Sequence, residues 1–187
     1  MAAVRLPRLK AEYQDKISVS WKGFPLALAP DPTRHFSPRL AAAWQRAHKE
    51  EPDAIFQPFT EGQPYPTFSL PALQATKCAE FQGEEASGRF HLAVFKAFFT
   101  QSRDISDPAV LTSIAGEVGL DVKQFSLDFE RDKPQEMVLA EFEKVKDRYS
   151  GWGIPLAIIG DRFPIVGACP LTMYRRAVDL CLADPTA

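Results

Sequence analysis

The chain has 187 residues, 45% hydrophobic and 25% charged, with a formal net charge of -2 at pH 7. That suffices for one cored domain, or a domain with a large insertion, and gives no basic surface for nucleic acid or an anionic membrane. No apolar run nears the roughly 20 residues of a membrane span, and the start lacks the basic, apolar and small-residue regions of a signal peptide, so a cytoplasmic location is expected.

The chain opens on a helical pattern, with Val4, Leu6, Leu9 and Tyr13 close to one face. Ile17, Val19 and Trp21 then alternate, which predicts a strand over Ile17–Phe24. More than half of the 16 prolines fall between Pro25 and Pro71, so that stretch is expected to be irregular and rigid. One helix interrupts it after Pro38, carrying Leu40, Ala43, Trp44 and Ala47.

From about Leu70 to Tyr149 the spacing predicts four or five helices. The first bears Leu73, Lys77, Cys78 and Phe81; the second has a wide apolar face of Phe90, Val94, Phe95, Phe98 and Phe99. Asp107 and Pro108 mark the start of the next, with Val110, Leu111, Ile114, Ala115 and Val118 as its stripe and Gly119 as its stop. Asp121 opens a short helix with Val122, Phe125 and Phe129, and a last one over about Pro134–Tyr149 carries Val138, Phe142, Val145 and Tyr149. The grammar then changes: Leu156–Ile159 and Phe163–Val166 read as a hairpin about a Gly160-Asp161 turn. A closing helix comes after Pro170, with Met173, Tyr174, Ala177, Val178 and Cys181 on its apolar face.

The three cysteines, Cys78, Cys169 and Cys181, form no Cys-x-x-Cys and no metal-like pattern with His. A helix between Cys169 and Cys181 would hold them roughly 18 Å apart, beyond bridging distance. Cys78 reads as a buried structural thiol and His91 as a packing side chain. The segment "RDIS" (Arg103 to Ser106) reads as a loop leading into a helix cap.

The segments "FHLAVFKAFFTQSRDISDPAVLTSIAGEVGLD" (Phe90 to Asp121), "GWGIPLAIIGDRFPIVGACP" (Gly151 to Pro170) and "FPLAL" (Phe24 to Leu28) together resemble the DsbA-like thiol oxidoreductases, most closely the FrnE-like branch. The resemblance implies an α/β, thioredoxin-like fold lacking its first strand, with an inserted all-helical subdomain. Residues 1–30 and 150–187 would form the thioredoxin-like core, and 31–149 the connecting loop and insert.

In that family the first strand leads into a Cys-x-x-Cys motif, and "MAAVRLPRLKAEY" (Met1 to Tyr13) is similar to the helical stretch just past that motif. The chain is therefore expected to be truncated just after the motif. The implied activity is that of a thiol–disulfide oxidoreductase or isomerase, inactive as it stands because no residue here can serve as the catalytic pair. Met1, Ala2 and Ala3 supply neither a thiol nor a hydroxyl at the first helix.

The resemblance places Ile154 and Pro155 at a cis-proline loop whose backbone pairs with an extended peptide or glutathione, with Trp152 as a further substrate contact. Read from the residues alone, Pro155 merely starts a strand. Cys169, near the start of the closing helix, is a secondary redox candidate. No metal or cofactor is expected; a thiol or disulfide peptide, or glutathione, would be the substrate. The alternatives are a glutathione-dependent isomerase or transferase of the 2-hydroxychromene-2-carboxylate isomerase or kappa type, and a non-catalytic peptide-binding module. A sheet without its first strand also leaves an edge through which copies of the chain could pair, or aggregate.

Overall fold

The computed structural model describes residues 1–149 and 153–184. In chain order the elements are α1 (Ala2–Tyr13), α2 (Pro38–Glu50), α3 (Leu70–Glu80), α4 (Glu84–Phe99), α5 (Pro108–Glu117), α6 (Val122–Phe129), α7 (Asp132–Tyr149), β1 (Leu156–Ile159), β2 (Phe163–Val166) and α8 (Leu171–Ala183), with a 3-10 turn at Gln14–Lys16. This order of helix, helical insert, hairpin and helix is that of the thioredoxin-like fold the sequence implied. The chain divides into two compact units, one of residues 1–21 with 148–187 and one of residues 22–147.

In the first unit, β1 and β2 pair antiparallel in the register Leu156↔Val166, Ala157↔Ile165, Ile158↔Pro164 and Ile159↔Phe163. The turn between them puts Gly160 and Asp161 at φ +57 and +54, and Arg162 N–H closes it on the Ile159 carbonyl. Alternation then separates the faces. Ala157, Ile159, Phe163 and Ile165 pack with α1 and α8, whereas Ile158 and Val166 are exposed. The core is small: Leu9, Ile165, Tyr174, Ala177 and Val178 are its buried members. Exposed polar contacts also link α1 and α8. Tyr13 Oη donates to Asp179 Oδ1 at 2.6 Å, and Arg175 Nε donates to Glu12 Oε2 at 2.7 Å.

The second unit has a larger core of packed helices. Ala75, Cys78 and Ala79 of α3 meet Phe90, Val94 and Ala97 of α4, Leu111 and Ile114 of α5, and Phe125 of α6. The caps fall where the sequence put them: Asp107 accepts from Ala109 N–H at 2.8 Å, and Asp121 from Gln124 N–H at 2.9 Å. Gly119, at φ +77, ends the helical run after α5 in the left-handed conformation that glycine adopts at little cost. Beside this core Trp44 of α2 sits among Phe36, Phe56, Phe59, Phe98 and Phe99, with ring centroids 4.8–6.4 Å apart. Such tilted and edge-on pairs add to what area burial provides.

Two expectations about local structure change. Residues 17–24 alternate in burial as a strand does, and Ile17 has extended dihedrals, yet among the described residues they join no β-ladder. A strand is completed by a hydrogen-bonding neighbour, which the alternation of its own side chains cannot supply. Phe81, Val122 and Met173, expected on buried faces, are 43%, 38% and 50% exposed. Phe81 lies just past the end of α3, Val122 opens α6 and Met173 lies in the first turn of α8, where a helical stripe has no neighbouring turn on one side.

Candidate functional site

The hairpin begins with the segment Gly153-Ile154-Pro155, all three exposed, and the Ile154–Pro155 peptide is cis. Ile154 is 44% exposed. Among the described residues no protein group hydrogen-bonds to its backbone N–H or carbonyl. The Pro155 carbonyl faces inward and accepts from Gly167 N–H at 2.7 Å, which extends the pairing of β1 and β2 by one step. The sequence thus places an open backbone edge at Ile154 beside a closed one at Pro155.

Opposite lies the turn Gly167–Pro170 between β2 and α8. Gly167 has φ +82, a conformation that side-chain-bearing residues adopt at a cost. The turn's carbonyls are taken by side chains. Tyr174 Oη of α8 donates to Gly167 O at 3.3 Å, and Arg5 Nη1 of α1 donates to both Ala168 O at 2.7 Å and Cys169 O at 2.8 Å. Arg5 is only 5% exposed. The sequence pattern does not predict that burial, although Arg5 stands one turn before Leu9 on the same helical face, which is the available signal.

Cys169 lies in this turn as a half-buried free thiol whose Sγ donates to Val166 O at 3.3 Å. The structure therefore brings Cys169, Arg5 and the Pro155 carbonyl to one stretch of backbone. Trp152 lies outside the described residues. The first turn of α1 holds Ala2, Ala3 and Val4, and its N-cap, Met1, makes no side-chain cap bond.

The remaining reactive groups belong to structure elsewhere. Cys181 packs against the hairpin turn, with its Sγ 3.7 Å from Ile159 O. Cys78 is fully buried, and burial, with Asp128 nearby, pushes its thiol up to about 12. Burial, helped by the charge of Lys77, pulls His91 down to about 4, and its ring lies 4.8 Å from that of Phe95. Arg103 pairs with Glu117 at 2.9 Å, and Asp104 Oδ1 accepts from both Ser106 N–H and Ser106 Oγ; "RDIS" is a braced loop. No described helix is long and apolar enough to cross a membrane.

Known proteins resemble this chain in sequence and in fold. The family described as "DSBA-like thioredoxin domain" matches residues 1–179. Protein YwbO of Bacillus subtilis (strain 168), itself uncharacterized, is 27% identical over 167 residues, covering 87% of this chain and 81% of its own length. Among solved structures, a "putative protein disulfide isomerase" from Nitrosomonas europaea superposes with a TM-score of 0.74 at 21% identity, over 97% of this chain and 90% of that one. The cytosolic disulfide reductase DsbM from Pseudomonas aeruginosa, solved with GSH, superposes with a TM-score of 0.66 at 17% identity, over 100% and 92%.

Proposed function

Because the chain belongs to the DSBA-like thioredoxin domain family of thiol–disulfide oxidoreductases, we propose that residues 1–187 carry the substrate-recognition half of a disulfide-exchange site. The single observation behind this reading is the open backbone of Ile154. An extended chain pairs with such an edge through its own main-chain groups, so the ligand is a thiol or disulfide peptide, or glutathione. The glutathione-bound relative DsbM supports the same ligand class.

Exchange itself needs a thiolate, best placed at a helix N-terminus, and a second thiol to resolve the mixed disulfide. Cys78, Cys169 and Cys181 are not arranged in that way. On this reading residues 1–187 bind without exchanging, and Trp152, next to the loop, contributes a contact. The protein works in the cytoplasm, as DsbM does, and copies associate through the edge of β1 that no strand among the described residues pairs with. Sedimentation as a monomer at every concentration would refute that last element.

The test is a titration with S-methylglutathione, whose sulfur cannot exchange, monitored through backbone amide resonances. Shifts confined to Gly153–Leu156 and Gly167–Cys169 are expected; their absence at saturating ligand overturns the site. In parallel, the chain should leave the rate of insulin reduction by glutathione unchanged. Acceleration lost in Cys169→Ser would instead assign exchange to Cys169.

A further inference from the structure

We propose that Arg5 is the positioning residue of this site: it sets the turn Gly167–Pro170, and through it the recognition edge at Ile154. This role rests on the ligand reading proposed for the site and adds to it a residue from the other end of the chain. Arg5 bonds to the turn, at Ala168 and Cys169, and acts on Ile154 by way of it.

The chain of contacts is short. Arg5 Nη1 holds the Ala168 and Cys169 carbonyls, Tyr174 Oη holds the Gly167 carbonyl, and Gly167 N–H is thereby presented to the Pro155 carbonyl at 2.7 Å. Successive carbonyls of the turn, from Gly167 to Cys169, are thus satisfied by side chains of α1 and α8, while its backbone pairs at the two ends, Gly167 N–H with Pro155 O and Pro170 O with Met173 N–H. A part-buried carbonyl deprived of its donor turns toward water or another donor. Without Arg5, Ala168 and Cys169 reorient, Gly167 moves with them, and Pro155 loses the bond that fixes the segment carrying Ile154.

A purely structural Arg5 would also be buried, so the experiment must separate position from stability. Both of its bonds to the turn leave from one nitrogen, Nη1. A lysine ammonium at that place can make both, whereas methionine fills the stem and makes neither. Arg5→Met is therefore expected to weaken S-methylglutathione binding by about ten-fold, the worth of one charged hydrogen bond, while Arg5→Lys stays within about three-fold. Tyr174→Phe, which keeps the buried ring and loses one donor to the same turn, should weaken binding by about three-fold and covers the case in which Arg5→Met does not fold.

Val178→Ala supplies the stability control, since it opens the core of the same unit and removes no hydrogen bond to the turn. It should lower the melting temperature at least as much as Arg5→Met and leave affinity unchanged. Equal binding by Arg5→Met and the unsubstituted chain, or equal weakening by Val178→Ala, overturns the proposal. Hydrogen exchange of the Gly167 amide in the ligand-free protein should accelerate in Arg5→Met and not in Arg5→Lys; unchanged exchange in both also overturns it. If the unsubstituted chain binds no S-methylglutathione, the functional reading falls, and with it Arg5's part in recognition. The Gly167 exchange rates then still decide whether the clamp exists.

Discussion

Replacing Glu141 by glutamine should destabilise the helical unit more than replacing Lys77 by methionine, although each removes the same ion pair. Lys77 is 2% exposed, and its Nζ lies 2.8 Å from both Glu80 Oε1 and Glu141 Oε1. Glu141 also accepts from Gly23 N–H at 2.8 Å and Lys22 Nζ at 3.0 Å, which pins the chain at Lys22-Gly23 to α7. Glu141→Gln leaves the buried ammonium with Glu80 alone, whose side chain is 34% exposed. Stripping one partner from a buried pair costs about 3–5 kcal/mol, and the retained Glu80 contact brings this to about 2–3 kcal/mol.

Lys77→Met is the milder change. It fills the stem's volume, and the carboxylate keeps Gly23 and Lys22, so about 1 kcal/mol is expected. For a chain of this size each kcal/mol moves the melting temperature by roughly 2–4 °C, giving a loss of about 4–12 °C against about 2–4 °C. The double variant Lys77→Met/Glu141→Gln has no stranded charge and should be more stable than Glu141→Gln alone. Thermal and urea unfolding monitored by circular dichroism at neutral pH measures all three. If Lys77→Met costs as much as Glu141→Gln, or the two losses simply add, the reasoning from burial is wrong.

Four further outcomes are expected. His91 is held at about 4, against 6.5 for an ordinary imidazole, so the unfolded chain binds the proton first and stability should fall by up to about 3 kcal/mol as pH drops from 6.5 to 4. His91→Leu should flatten that slope in unfolding measured across the range, and an unchanged slope refutes the assignment. Glu141 differs: burial alone would raise its pKa, but hydrogen bonds from Lys77, Gly23 N–H and Lys22 hold it below the usual carboxylate range, so its contribution persists above that range and disappears only in stronger acid. With a thiol-reactive disulfide reagent, Cys169 and Cys181 should react in the native protein and Cys78 only on unfolding; mass mapping of the labelled sites would show otherwise if Cys78 is accessible. Gly160 has φ +57, and a Cβ there would lie 2.5 Å from Cys181 Sγ. Gly160→Ala should therefore cost about 2–3 kcal/mol, of which a Cys181→Ala background restores all but the roughly 1 kcal/mol due to the backbone; no restoration refutes the steric account.

Local chemistry was legible in the sequence, and contacts between distant segments were not. The caps at Asp107 and Asp121 and the bounds of β1 and β2 are dictated by residues within a few positions of one another. Residues 17–24 show the limit, because their alternation is real in the burial pattern while a ladder needs a second segment. Arg5 and Lys77 show it again. A charge on a helix is ordinarily read as solvated, and the carbonyls of Ala168 and Cys169 help make the burial of Arg5 tolerable, as the carboxylates of Glu80 and Glu141 do for Lys77. Of the site, the Ile154–Pro155 loop was visible through family resemblance, whereas the clamp that holds its neighbouring turn is visible only in three dimensions.

Because the unit bearing the site is assembled from residues 1–21 and 148–187, synthesis of the chain imposes an order on its folding. The helical unit has all of its residues before β1 is made. Meanwhile α1 is made before α8 and waits for it, with Leu9 lacking its core and Arg5 lacking the carbonyls 163 and 164 residues downstream. At about 5–20 residues per second that interval lasts roughly 10–30 s. Over that time the nascent chain displays an amphipathic helix whose apolar face awaits its partner, and the segment 153–155 proposed for recognition is completed only once β2 and α8 have been made.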